Sequence, residues 1–142
     1  MRKTALMLGL LAAAAIWPAA QAAATTYRAS LSTASEVPPV QGAGSGSAAI
    51  NVDTATRKLS WRVEYSGMSS PVVAAHIHCG AAAGANAPVA VPLGKAPNLA
   101  SPIEGSGKMT AAQLAELKAG KCYVNLHTAK HKPGEARGQL AP

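Results

Sequence analysis

KLSWRVEY (Lys58–Tyr65) alternates apolar and polar side chains along its whole length. Because successive side chains of an extended chain point to opposite sides, this pattern predicts a strand with one buried and one solvated face. The turn-forming residues 53–57 separate it from another strand candidate, Ser47–Val52, and this arrangement predicts a β-hairpin. A strand with one buried face within a hairpin is typical of an antiparallel sheet.

Strand and turn signals continue at short intervals on both sides of the hairpin. Thr110 and Gln113 have the spacing of a capping box, which predicts one short helix that ends near Gly120. We therefore expect an all-β fold, an antiparallel Greek-key sandwich or barrel of about eight strands with one short helix. The six further strand candidates are Tyr27–Leu31, Val72–Cys79, Val89–Leu93, Pro102–Ser106, Lys121–Thr128 and Ala136–Leu140.

Three segments between the strands are rich in proline or glycine. Two prolines exclude Ser35–Val40 from a central strand because proline lacks the backbone donor. The composition of Gly42–Gly46 predicts a flexible connection. In the link Gly80–Pro88, we expect Gly84 and Asn86 to adopt unusual backbone angles.

The N-terminus has the pattern of an export signal. Arg2 and Lys3 precede the apolar run Ala5–Ile16, and Ala20-Gln21-Ala22 provides a small-x-small cleavage site. The run is shorter than the roughly 20 residues that span a bilayer. We expect residues 1–22 to be a signal peptide, cleaved at about 22–24. Residues 23–142 should form one periplasmic or secreted domain, without a transmembrane segment after cleavage.

The two cysteines provide covalent support for a core with few large side chains. The chain has no Phe, and aromatic residues are 4% of it. Cys79 and Cys122 lie in a chain that we expect to be exported, where disulfides form and persist. A disulfide between them would stabilise the fold by about 4 kcal/mol in the chain-entropy model. Two buried thiols or a thiolate metal site are the alternatives.

Charge and motif content exclude several classes of function. The formal net charge of +7 is spread along the chain, without the clustered basic and aromatic residues of a nucleic-acid binder. The acidic residues are scattered, so no carboxylate pair for glycoside hydrolysis is apparent. No serine has the Gly-x-Ser-x-Gly context of a hydrolase nucleophile. These observations favour a binding protein over an enzyme.

Three of the four histidines lie on two strand candidates. Alternation places His76 and His78 on one side of their strand and Cys79 on the other. In the segment Cys122–Thr128, the same rule separates His127 from Cys122. If the two strands are neighbours, the cysteines can meet inside the fold and the three histidines outside it.

Four separated motifs follow one another along the chain, namely Glu36–Val40, Ala75–His78 with the Gly/Ala-rich turn up to Val89, Tyr123–Thr128 and Pro133–Leu140. Together, in this order, they resemble the CHRD (chordin) domain family. The resemblance implies a compact all-β domain in an extracellular or envelope setting. In animal chordin, this family occurs in a secreted antagonist of bone morphogenetic proteins, whereas single-domain exported members generally lack an assigned activity.

The histidines support a metal-site hypothesis and a structural alternative. Neutral imidazole is a favoured ligand of copper and zinc, so His76, His78 and His127 could form a three-histidine site, with His131 as an optional fourth ligand. Alternatively, the three imidazoles take part in a hydrogen-bonded polar network that ties loops to the sheet. A pocket for a small non-metal ligand is a further alternative. The candidates for orienting the ligands or contacting an anion are Asn125, Glu135 and Arg137.

A looser similarity connects the chain with copper/zinc superoxide dismutase, a family that has an exported β-barrel form, a His-x-His strand, a later strand histidine and an arginine near the C-terminus. In this chain, the corresponding order is His76, His78, His127 and Arg137. By this comparison, Arg137 would act as an anion guide, attracting an anion towards an open coordination position on copper. The chain lacks a bridging histidine in the corresponding interval, a zinc-site cluster and the matching disulfide spacing. Our first hypothesis is therefore copper or zinc binding, followed by an envelope module that holds protein or glycan without metal, and then a copper-dependent redox protein.

Overall fold

The structure is a computed structural model that describes residues 24–142. The predicted signal peptide, residues 1–22, lies outside the described residues. Every predicted strand and the predicted helix are present, with ends that differ by a few residues. The elements are β1 (Ala24–Ser32), a 3-10 turn (Thr33–Ser35), β2 (Ser45–Asp53), β3 (Lys58–Ser66), β4 (Val72–Cys79), β5 (Val89–Lys95), β6 (Ile103–Lys108), α1 (Ala111–Lys118), β7 (Cys122–Thr128) and β8 (Ala136–Gln139).

The strands form one antiparallel sheet of eight strands in the order β5-β4-β7-β8-β1-β2-β3-β6. The two end strands, β5 and β6, lie against each other, so the sheet curls into a nearly closed barrel. After the run β4–β6, the chain crosses over and returns as β7 to the side of β4, which is a Greek-key arrangement. The predicted all-β Greek-key fold with one short helix is confirmed.

The barrel interior is filled by the apolar side chains at alternate strand positions. Leu59, Trp61 and Val63 of β3 are at most 8% exposed, as the alternation in KLSWRVEY predicts. The core continues through Ile50 of β2 and Leu126 of β7, both fully buried. Burial of these side chains supplies the main driving force for folding, since each fully buried aliphatic side chain contributes about 1.5–3 kcal/mol.

The side chain of Trp61 on β3 passes under the end strand β6 and reaches the other end strand, β5. Its indole Nε1 donates a hydrogen bond to the carbonyl of Leu93 on β5 over 3.0 Å. A Cβ atom at Gly105 of β6 would lie 2.6 Å from the indole ring, so this close approach requires glycine. The tryptophan thereby ties β3 to β5 across β6.

Helix α1 begins with the predicted capping box. The Thr110 side chain accepts a hydrogen bond from the Gln113 amide, and the Gln113 side chain accepts one from the Thr110 amide. Leu114 and Leu117 are buried against the core. Among residues 24–142, no helix is both long enough and apolar enough to cross a membrane.

The glycine-rich segments differ from the prediction at two points. Ser45 and Gly46 belong to β2 rather than to a flexible connection. A Cβ atom at Gly46 would lie 2.3 Å from the Glu64 carbonyl of β3, so glycine is needed for close pairing there. In the link after β4, Gly84 has the expected positive φ of 87°. Asn86 does not have a positive φ, and its side chain is instead used for hydrogen bonds to other segments.

The predicted disulfide between Cys79 and Cys122 is confirmed. The two cysteines are direct cross-strand partners, at the end of β4 and the start of β7, with their Cα atoms 4.1 Å apart. This covalent link fixes the register of the strand pair that carries the three histidines of the proposed site.

Candidate metal centre

Strands β4 and β7 bring the three strand histidines together. In their ladder, His76 is paired with Asn125, His78 with Tyr123, and Ala74 with His127. Ile77 lies between the two β4 histidines in sequence and points into the core. Because side chains alternate, the three imidazoles lie on the outer side of the barrel wall, as predicted.

The imidazole rings are close enough for one nitrogen atom of each ring to bind the same metal ion. His76 Nδ1 lies 3.1 Å from His127 Nε2, and the ring centroids of these two residues are 4.8 Å apart. The ring centroid of His78 is 5.6 Å from that of His76 and 5.7 Å from that of His127. One ligand nitrogen from each residue lies within 4.8 Å of the other two, so the cluster could hold a metal ion.

Loops cover the outer face of the sheet that carries the three histidines, a feature that the sequence analysis did not predict. His78 and His127 are each 8% exposed, and His76 is half-buried. The loop before β5 contacts His78 through Ala87, and the loop before β8 contacts His127 through Lys132. The alternation rule identifies the side of the sheet but not the loops that fold over it.

Two backbone carbonyl groups determine which nitrogen of each ring carries the proton. His78 Nδ1 lies 2.9 Å from the Ala87 oxygen, and His127 Nδ1 lies 2.8 Å from the Lys132 oxygen. A carbonyl oxygen can only accept a hydrogen bond, so both Nδ1 atoms must be donors. In the neutral rings, the Nε2 atoms of His78 and His127 are therefore left with free lone pairs.

His76 completes the hydrogen-bonding pattern of the cluster. Because His127 Nε2 is an acceptor in the neutral ring, His76 Nδ1 must donate the hydrogen bond between them. Among the described residues, the buried Nε2 of His78 has no hydrogen-bond partner. Such an atom is costly to leave unpaired, and a metal ion would satisfy it.

Burial keeps two of the rings neutral at physiological pH. Burial, together with the nearby His127 and His78, lowers the pKa of His76 to about 4. Burial also lowers the pKa of His78, although the hydrogen bond to the Ala87 carbonyl opposes this effect. Neutral imidazole is the form that binds metals, so no proton needs to be removed from a charged ring at either position.

The distances between the ligand nitrogens fit a metal site made of imidazole nitrogens alone, once one side chain has rotated. With metal–nitrogen bonds of about 2.0–2.1 Å, the ligand nitrogens of a tetrahedral site lie about 3.4 Å apart. The pair His76 Nδ1 and His127 Nε2 is already near this separation at 3.1 Å, while the widest nitrogen pair in the cluster, at up to 4.8 Å, requires rotation of a side chain. Within residues 24–142, no carboxylate belongs to the cluster, which disfavours calcium.

His131 does not belong to this cluster of ligand nitrogens within the described chain. It lines a separate cavity of about 200 Å³ between the segment Glu36–Val40 and the loop containing Pro133 and Gly134. The prediction that His131 is an optional fourth ligand therefore has no support from the geometry.

Arg137 is buried near the histidines, and each of its three guanidinium nitrogens already donates a hydrogen bond. Its Nε donates to Glu36 Oε2, its Nη1 to the Ala85 carbonyl and its Nη2 to Asn86 Oδ1. The guanidinium also lies 4.3 Å from the centre of the Tyr123 ring. These contacts leave little capacity for an incoming anion, which counts against the anion-guide interpretation.

Asn125 and Glu135 occupy different positions beside the cluster. Asn125 is 1% exposed, and its amide packs against Gly134 in the loop that covers His127. Glu135 is equally buried and accepts hydrogen bonds from Ser69 and from Thr128. In the described part of the chain, neither side chain forms a hydrogen bond with an imidazole nitrogen, and backbone carbonyl groups orient His78 and His127 instead.

The sequence interpretation assigned no role to Glu36, Ala87 or Lys132. Ala87 and Lys132 act through their carbonyl groups, which every residue type possesses, so no side-chain pattern could identify them. Glu36 belongs to the Glu36–Val40 motif, and its buried ion pair with Arg137 spans 101 positions of the chain. A carboxylate in a proline-rich segment gives no local indication of so distant a partner.

Comparison with known proteins identifies the family but not an activity. The CHRD domain model matches residues 27–140. No significant match to a curated protein or to a solved structure was found. The matched region includes all the residues of the histidine cluster and both cysteines. Since this match extends over most of the chain, the protein belongs to the CHRD domain family.

Proposed function

We propose that this protein is an exported binding protein that holds a copper or zinc ion through His76, His78 and His127. Copper is the first candidate and zinc the second. Export is supported by the signal-like residues 1–22 and by a disulfide, which is typical of proteins outside the reducing cytosol.

The main support for the proposal is the short distance of 3.1 Å between His76 Nδ1 and His127 Nε2. In the metal-free protein, one proton lies between these two atoms. When a metal ion binds, that proton would move from His76 Nδ1 to His76 Nε2, so that His76 Nδ1 and His127 Nε2 would both have a lone pair for the metal. The third ligand would be His78 Nε2, which has no other hydrogen-bond partner among the described residues.

The ligand set favours copper or zinc over other common metals. Three imidazole nitrogens suit both ions, and hard ions such as calcium and magnesium prefer oxygen ligands. Three protein ligands also leave a coordination position free for water or another small molecule. The carbonyl groups of Ala87 and Lys132 would orient His78 and His127, as is usual for histidine ligands.

Metal content and titration of the purified, exported protein test this function. We expect stoichiometric copper or zinc in the wild type and loss of that metal in the His76→Ala/His78→Ala variant. His131→Ala is the matched control, because it removes an imidazole that lies outside the cluster. This variant should retain the metal.

Failure of the wild type to bind copper or zinc at micromolar concentration would contradict the proposal. The imidazoles would then form a structural polar network, and the protein would be better regarded as an envelope module for protein or glycan. If copper binds, turnover of superoxide by the loaded protein distinguishes a redox protein from a carrier or store.

A further inference from the structure

Arg137 connects three segments that are distant in the sequence. Its Nε donates to Glu36 Oε2 over 3.0 Å, and its Nη1 donates to the Ala85 carbonyl over 3.1 Å. Its Nη2 donates to the side chain of Asn86, whose own amide donates to the Val37 carbonyl. Arg137 and Glu36 are both 4% exposed, so this is a buried ion pair with directed hydrogen bonds.

The loop that Arg137 holds is the one that orients His78. Ala87 follows Ala85 and Asn86, and its carbonyl accepts the hydrogen bond from His78 Nδ1. The amide of Ala87 donates to the Tyr123 hydroxyl over 3.1 Å, and this hydroxyl lies 3.4 Å from the Ala87 carbonyl oxygen, so Tyr123 holds the same residue. The position of this carbonyl therefore depends on both Arg137 and Tyr123.

A stack of planar groups provides a second connection between Arg137 and His78. The guanidinium lies 4.3 Å from the centre of the Tyr123 ring. The Tyr123 ring is in turn parallel to the His78 ring, with an interplanar angle of 1° and centroids 4.9 Å apart. His78 is thus fixed at its face by an aromatic ring and at Nδ1 by a carbonyl.

We propose that Arg137 is a positioning residue that selects the Nδ1-protonated tautomer of His78 and thereby keeps its Nε2 free as a metal ligand. The selection of the tautomer is a property of the metal-free protein. Its consequence for metal affinity rests on the proposed function.

Glu36 extends the same network to the second oriented histidine. One carboxylate oxygen binds Arg137, and the other lies 2.6 Å from where a Cβ atom of Gly134 would be. Gly134 belongs to the loop whose Lys132 carbonyl accepts the hydrogen bond from His127 Nδ1. Glu36 therefore lies between the two loops that orient His78 and His127.

The test is the chemical shifts of the histidine ring nitrogens in metal-free protein, measured by long-range ¹H–¹⁵N correlation NMR. In the wild type, His78 should be protonated at Nδ1. Arg137→Lys retains the charge but cannot reproduce the forked hydrogen bonds, so a substantial population of the Nε2-protonated tautomer should appear. Arg62→Lys is the matched control, because Arg62 is exposed and its ion-pair partners Glu64 and Glu104 do not touch the cluster.

Copper titration of the same proteins provides the second measurement. Loss of an orienting contact typically lowers metal affinity by about 10–100-fold, and we expect a reduction of this size for Arg137→Lys but not for Arg62→Lys. If no metal binds to the wild type, the proposed function fails, while the tautomer measurement still tests the role of Arg137.

A folded Arg137→Lys protein in which His78 remains fully Nδ1-protonated would overturn the inference. If that variant does not fold, Asn86→Ala takes its place, because Asn86 is exposed and its truncation removes the hydrogen bonds to Arg137 and Val37 but leaves those of Arg137 to Glu36 and Ala85. A measurable shift of His78 towards the other tautomer in Asn86→Ala would support the inference. An unchanged tautomer in that variant would count against it.

Discussion

At the scale of single residues, Glu135 shows how a buried carboxylate can remain charged. Its oxygens accept hydrogen bonds from the Ser69 amide, the Ser69 hydroxyl and the Thr128 hydroxyl at 2.6, 2.8 and 2.6 Å. Burial alone would raise the pKa of Glu135, but these hydrogen bonds lower it below its ordinary value of 4.5. The carboxylate thus joins the segment before β4 to the end of β7.

The lowered pKa of Glu135 leads to a prediction about acid stability. A carboxyl whose pKa is lower in the folded state stabilises the protein above its unfolded-state pKa, and this contribution is lost as the pH falls through the folded-state pKa. Glu135→Gln should reduce the free energy of unfolding at neutral pH by about 1–3 kcal/mol. Below pH 4.5, the free energy of unfolding of the variant should also fall less steeply with decreasing pH than that of the wild type, as measured by urea unfolding at several pH values.

Glu104→Gln is the control for that experiment. The Glu104 side chain is 59% exposed and pairs with Arg62 on the surface, where an ion pair contributes little to stability. Equal pH profiles for the wild type and Glu135→Gln would show that the buried hydrogen bonds do not stabilise the charged form.

At the scale of the secondary-structure elements, the contact between β5 and β6 depends on a fit between Trp61 and a glycine. A Cβ atom at Gly105 would lie 2.6, 2.8 and 3.0 Å from three atoms of the indole ring. Because the indole is buried and also bonded to the Leu93 carbonyl, it cannot move aside without breaking that contact. The closure of the barrel therefore depends on a residue without a side chain in β6.

We predict that Gly105→Ala destabilises the protein by about 1–3 kcal/mol, the usual cost of overpacking a core. The indole should also become more exposed to solvent. Trp61 is the single tryptophan of the chain outside the predicted signal peptide, so its fluorescence reports on this site directly. Denaturant unfolding followed by tryptophan emission measures both effects.

Gly42→Ala provides the matched substitution at an uncrowded glycine. A Cβ atom there would meet only the Thr33 methyl group at 3.7 Å, an ordinary van der Waals distance. If Gly105→Ala and Gly42→Ala had the same stability and the same emission spectrum, the role of Trp61 in closing the barrel would be refuted.

At the scale of the whole molecule, the disulfide, the histidine cluster and the buried ion pair all act on the β4–β7 strand pair or on the loops that cover it. Metal binding should therefore stabilise the whole fold, since a ligand that binds only the folded state shifts the unfolding equilibrium. At free metal 100-fold above the dissociation constant, the gain is about 2.7 kcal/mol. For a domain of this size, that corresponds to a rise in Tm on the order of 10 °C.

Thermal unfolding with and without copper or zinc measures this gain. His131→Ala should show the same rise as the wild type, and His76→Ala/His78→Ala should show none. A rise of equal size in the double variant would indicate that metal binds elsewhere, for example at the surface.

The sequence by itself determined the features that depend on local periodicity and chain chemistry. Alternation in KLSWRVEY and in the histidine strands predicted the strands and their faces, and Thr110 with Gln113 predicted the helix cap. An even cysteine count in a chain with a predicted export signal predicted the disulfide between Cys79 and Cys122. These signals are local because the backbone geometry of strands and helix ends repeats over a few residues.

Only the tertiary structure decided the chemistry of the histidine cluster. The carbonyl groups of Ala87 and Lys132 select the protonated nitrogen of each oriented ring, and every residue type has such a group. The burial of the histidine face and the distant pairing of Glu36 with Arg137 likewise result from loops that meet only in the folded barrel. Contacts between distant segments leave no periodic pattern in the sequence, which is why the ligand candidates were predictable but their orientation was not.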